Sequence, residues 1–145
     1  MNGKVSKIRN VIFWLLVAVF AIVTVILTTG LGRRDKIFPY MLICIIIILL
    51  ALGTALVALT VKLKETRMRK LFFILTGVSV LAIPICVILH NLVYVLCVKF
   101  GWMSRGDDEA VFFILVLLVF PALFIIGALG SIVLLIRDKA EKKDC

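Results

Sequence analysis

Charged residues in this chain fall in short clusters, and between the clusters lie four long stretches that contain none. The charge-free windows are 10–32, 37–61, 71–98 and 110–136, of 23, 25, 28 and 27 residues. A helix crosses the hydrocarbon of a bilayer in about 20 apolar residues, and roughly 18 without charge already mark a span. All four windows pass that measure. Lipid offers backbone groups no hydrogen-bond partner, so apolar runs this long form helices rather than the shorter, alternating strands of a barrel. The pattern predicts an all-α integral membrane protein, a single domain over 1–145. Its architecture is a bundle of four transmembrane helices at about 11–31, 37–61, 71–98 and 110–136.

Composition points the same way. The chain is 64% hydrophobic and 17% charged, with a mean hydropathy of +1.26, whereas a soluble domain averages roughly 45–50% apolar and about 25% charged. The connectors 33–36, 62–70 and 99–109 are too short to hold a soluble domain. Any site is therefore expected among the helices or at the headgroup boundary. The first window follows Lys4, Lys7 and Arg9 as a signal peptide would. It is much longer than a roughly 7–15-residue leader core, however, and "ILTTGLGRR" lacks a small-residue cleavage site. A retained helix is the expectation.

Charge then sets the orientation. Lys and Arg number three in the N-terminal tail, five in the second connector and four in the C-terminal tail, against three and two in the first and third connectors. The positive-inside rule puts both termini in the cytoplasm and the protein in a membrane, with the cell membrane as the expected one. "RRDK" (33–36) works against this, while Asp107, Asp108 and Glu109 suit the outer side. The net charge of +9 reads as a topology signal plus attraction to anionic headgroups, not as a nucleic-acid surface.

At 100° per residue each window can be given a face. Trp14, Ala18, Ala21 and Val25, continued by Thr28 and Thr29, form one stripe. Tyr40, Cys44, Ala51, Ala55 and Ala58 form a second, and Phe113, Phe120, Gly127 and Ser131 a third. Small residues four apart let helix backbones approach, so these stripes are expected between helices, with Ile46 and Leu49 facing lipid. Pro39 fits the first turn of its helix, where its missing N–H has no partner to lose.

The third window differs. Thr76, Ser79, Ile83, Cys86, His90, Tyr94 and Cys97 project within about 40° of His90. Six of these seven carry a polar or sulfur-bearing group, and the other faces are Leu, Ile, Val and Phe. Such a stripe is costly in hydrocarbon and must face helices or a cavity. Pro84 frees the Val80 carbonyl beside it and is expected to kink the helix. His90 is the one histidine of the chain. With Asn91, Tyr94, Cys86, Ser79 and Thr76 it makes a candidate intramembrane polar site, because an ionisable residue in a span is a functional hypothesis by default. The competing role, a hydrogen bond holding helices together, ranks first. Tyr94 also fits an outer aromatic belt with Tyr40, Phe100 and Trp102.

Asp107, Asp108 and Glu109 form a second candidate, an acidic site at the outer boundary. Acids at a helix start are also explained by the helix dipole and capping. One histidine, expected about two turns deeper, does not complete a zinc site, and no metal or cofactor is expected. The four cysteines contain no C-x-x-C. Cys86 and Cys97 are too far apart to bond within one helix. A Cys44–Cys97 bridge has no support beyond shared depth, and the chain does not end in a prenylation box. Nucleotide-loop, nucleophile-elbow and metalloprotease motifs are missing. So are the motifs or loops that mark four-helix glutathione-dependent enzymes, small drug exporters, claudins and tetraspanins.

Three functions follow in order. The first is an accessory subunit that binds other membrane proteins, or itself, within the lipid bilayer. The second is an oligomeric binding or transport protein with a pathway along the polar face of the third helix, weakened by the lack of an intramembrane acid or base other than His90. The third is a lipid-modifying enzyme using His90, for which no partner at that depth is evident. No catalytic residue is assigned, and the balance lies against an enzyme.

Overall fold

A computed structural model describes residues 2–29, 38–101 and 114–141, and all of the regular structure in them is helical. The elements are α1 (Asn2–Thr29), α2 (Phe38–Lys62), α3 (Arg67–Lys99), a π-helical turn (Leu115–Val119) and α4 (Phe120–Glu141), which continues it. Four segments, Gly3–Ile26, Tyr40–Lys62, Arg67–Lys99 and Leu115–Arg137, are long and apolar enough to cross a membrane. The chain is thus a multi-pass membrane protein by the length and composition of its helices.

The boundaries differ modestly from the charge-free windows. α1 starts at Asn2, because Lys4, Lys7 and Arg9 continue the helix instead of ending it. α3 begins at Arg67 and holds 33 residues. At 1.5 Å per residue it is about 50 Å long, so it outreaches a hydrocarbon core of about 30 Å. Thr66 leads into it with extended backbone (φ −58°, ψ 147°) and no side-chain cap. At its far end the Phe100 N–H donates to Leu96 O at 2.9 Å and the Gly101 N–H to Val98 O at 3.2 Å. Gly101 takes a φ of 71°, the left-handed conformation in which glycine closes a helix.

Two prolines interrupt the ladder. Pro84 is buried inside α3, and the helix runs through it. Pro121, near the start of α4, has no N–H to give to Leu117. Just before it the chain widens, and the Phe120 N–H donates to Leu115 O five residues back. An extra residue in the turn is one way to relieve the clash of the ring with the preceding turn.

α3 is central: it packs against both α2 and α4, while α1 packs along α2. Two of these crossings rest on glycine. A Cβ added to Gly77 would lie 2.7 Å from Val57 Cγ2 and 3.2 Å from the Gly53 carbonyl, so α2 and α3 touch backbone to backbone. A Cβ on Gly127 of α4 would lie 2.7 Å from Thr76 Oγ1 and 2.8 Å from Thr76 N. α1 is held differently, by rings. Phe13 meets Phe73 edge-on at 5.2 Å, and Phe20 stacks on Phe124 at 4.0 Å.

The burial pattern corrects two of the expected faces. Trp14, Ala18, Ala21, Val25, Thr28 and Thr29 point outward, and α1 buries Arg9, Phe13 and Leu16 instead. Its contacts to Phe73 and Phe124 are made by the rings of Phe13 and Phe20, not by the small residues. On α2, Tyr40, Cys44, Ala51 and Ala58 are exposed and Ala55 is half-buried. The seam is Leu49, Gly53, Leu56 and Thr60, continued by Leu63 just past the end of α2. Gly53 lies 200° around the helix from Ala51, and it lets α3 come closer than alanine would. Leu49, expected in lipid, is consequently 8% exposed, while Ile46 does face outward. On α4 the expected Gly127 and Ser131 are buried and Phe120 is half-buried; Phe113 lies outside the described residues.

Candidate functional site

The polar stripe of α3 faces inward, as its pattern requires, but its two halves differ. Thr76 and Ser79 are buried where α3 meets its neighbours. Their hydroxyls donate to carbonyls one turn back, Thr76 to Phe72 O at 2.8 Å and Ser79 to Leu75 O at 2.6 Å. Both groups are satisfied within their own helix. Farther along, Ile83, Cys86, His90, Tyr94 and Cys97 are half-buried. Asn91 is exposed, and its amide donates to Val87 O at 2.8 Å, so it does not join His90 in a cluster. His90 stands ten residues beyond Val80, about 15 Å along the axis, which takes the carbonyl opposite Pro84 out of its reach. Cys44, Cys86 and Cys97 are free thiols. Among the described residues no three of His, Cys, Asp and Glu gather at metal-binding range. Asp107, Asp108 and Glu109 lie outside the described residues.

The most strongly organised polar group is elsewhere, at the basic end of the helices. Arg9 is fully buried, 0% exposed, although it stands only a few residues from the chain start. α1 extends past its apolar run, so the third turn carries Arg9 against the α2–α3 connector and the first turns of α3. Its Nη1 donates to a Glu65 carboxylate oxygen. Nε and Nη2 donate to Asn10 Oδ1 at 3.2 and 2.9 Å. The guanidinium also lies 4.1 Å from the centroid of Phe73, where the ring face attracts a cation. Glu65 in turn sits 3.6 Å from Arg69 Nη1, one turn into α3. One carboxylate thus ties α1, the connector and α3 together.

Nothing in the hydrophobic pattern announced this node. Arg9 reads as a flanking charge and Glu65 as part of a basic connector. One signal was present: Glu65 is the lone acid between Lys62 and Lys70. A single carboxylate among five bases is a natural partner for a cation arriving from another helix.

Two hollows adjoin the node. A cleft of about 580 Å³ opens between the connector and the end of α4, lined by Lys64, Glu65, Thr66, Met68, Arg69, Leu134 and Arg137. A shallow groove of about 460 Å³ runs down another face of α3 below Arg67 and Lys70. Both offer cations beside apolar side chains, suited to an anionic amphiphile. No family model, curated protein or solved structure matches the chain.

Proposed function

We propose that this chain is an interaction subunit of the cell membrane, with both termini in the cytoplasm, that binds other membrane proteins through the outer surfaces of α1 and α2. One observation carries the reading. The small residues Ala18 and Ala21 of α1, and Ala51, Thr54 and Ala58 of α2, are exposed and face away from the other described helices. Between helices in lipid, small side chains matter because they let backbones approach. Here the chain's own close crossings use Gly53, Gly77 and Gly127 and leave these alanines open. An outward seam of this kind fits a helix from another protein or from a second copy. Orientation rests on the distribution of Lys and Arg, with the Arg9–Glu65 node on the inner side.

The other two readings have less support. A transport pathway along α3 would want the hydroxyls of Thr76 and Ser79, which are bonded to their own helix. Lipid chemistry shared between His90 and Asn91 would want the Asn91 amide beside the ring, and that amide is turned to Val87.

A photo-crosslinking side chain at Thr54, activated in native membranes, tests the proposal. The expected product is a discrete protein adduct that disappears when Ala51 and Ala58 are both changed to Leu, with thermal stability in detergent unchanged. Adducts to lipid alone would sink it.

A further inference from the structure

We propose that the groove on α3 beneath Arg67 and Lys70 binds one anionic phospholipid, its phosphate at the two cations and one acyl chain along Leu71, Ile74, Leu75 and Val78. All six residues line the groove. Their spacing, 67, 70, 71, 74, 75 and 78, keeps them on one helical face, with both charges at one end and only hydrocarbon after them. From Arg67 to Val78 the helix rises about 16 Å. That is close to half of a hydrocarbon core of about 30 Å, the depth that one chain of one leaflet spans.

Charge complementarity selects the occupant. Glu65, the nearest acid in the connector, is already bound to Arg9 and lies beside Arg69. Among the described residues Arg67 and Lys70 have no carboxylate partner. α3 has no acidic residue in its first turn, so its own start adds no negative charge beside Arg67 and Lys70. A partner helix with an apolar surface would leave both cations without a counter-charge. A phospholipid supplies hydrocarbon and anion in the matching order. Each basic residue near an anionic surface favours it by about fivefold, so a preference of roughly twentyfold or more over a zwitterionic lipid is expected. The inference rests on the membrane placement of α3 and is independent of the interaction surface on α1 and α2.

The test uses the full chain in nanodiscs of equal phosphatidylglycerol and phosphatidylcholine, released into the gas phase for native mass spectrometry. Retained adducts should be strongly enriched in phosphatidylglycerol. Arg67→Gln with Lys70→Gln should bring the adducts back to the bulk ratio, while Lys4→Gln with Lys7→Gln, an equal loss of charge, should leave the enrichment in place. Arg67→Lys with Lys70→Arg should also preserve it, which separates charge from folding, and free inorganic phosphate should not compete. Equal retention of both lipids by the wild type would overturn the proposal. So would equal loss in both Gln pairs, or a lipid-free dimer broken by changes at Leu71 and Val78.

Discussion

Gly53 and Gly77 face each other across the α2–α3 crossing so closely that a single methyl on Gly77 would meet Val57 Cγ2 at 2.7 Å and the Gly53 carbonyl at 3.2 Å. The Val57 methyl would have to shift, and the Gly53 carbonyl beyond it is backbone that no side-chain rotation moves, so a larger side chain has nowhere to go. Gly77→Leu should therefore separate α2 from α3 and lower stability by about 1–3 kcal/mol, the usual cost of overpacking. Ala58→Leu, on the exposed side of α2, should change it by less than about 0.5 kcal/mol. Thermal unfolding in one detergent compares the two. Similar losses for both would mean that the seam is misplaced.

The positions of the helices were legible in the sequence, and most of their faces were not. Charge is expelled from hydrocarbon, so the gaps between Arg9 and Arg33, or between Lys70 and Lys99, locate spans directly. Burial leaves no such mark, because lipid tails are as apolar as a leucine-rich interior. Leu49, buried, and Ile46, exposed, are indistinguishable by hydrophobicity. α3 was the exception because Thr76 and Ser79 are unwelcome in lipid. Gly53 and Gly77 were readable too, since glycine weakens a helix and its presence mid-span wants a packing reason. Counting alanines at four-residue spacing obscured that signal.

Arg9 and Glu65 should prove energetically coupled. Removing one member of a buried pair strands the other, at about 3–5 kcal/mol. Arg9→Leu and Glu65→Leu are each expected to lose an amount of this order. The double variant, which buries neither charge, should lose clearly less than the sum. Unfolding measurements on the four proteins give the coupling directly, and additive losses would show that the node is solvated.

Ser131 offers a gain. It is fully buried on α4, and among the described residues its Oγ has no hydrogen-bond partner, unlike the hydroxyls of Thr60, Thr76 and Ser79. An unsatisfied buried hydroxyl costs about 1–3 kcal/mol, so Ser131→Ala should raise stability by about 1 kcal/mol. A fall in the unfolding temperature would reveal a partner for that oxygen.

Orientation can be read from outside the cell. In a cysteine-free background, Lys64→Cys should react with an impermeant thiol reagent only after the membrane is opened, and Ser104→Cys should react without opening. The reverse pattern would put the basic end outside and remove the charge-based argument for cytoplasmic termini.

His90 remains the residue whose role a substitution series can separate. It is half-buried on the inner face of α3, beyond reach of the Val80 carbonyl and beside an Asn91 whose amide is engaged with Val87. If the ring links helices, His90→Asn should keep stability nearly intact, because an amide also offers one donor and one acceptor side. His90→Leu should lose about 0.6–2 kcal/mol, the range for hydrogen bonds between membrane helices. The Thr54 crosslink should survive in both. A ring that serves binding instead would give the opposite pair of results: normal unfolding temperatures in both variants and a crosslink lost from both. Scoring stability and crosslink yield on the same preparations distinguishes these outcomes, and the structural linkage is the one expected.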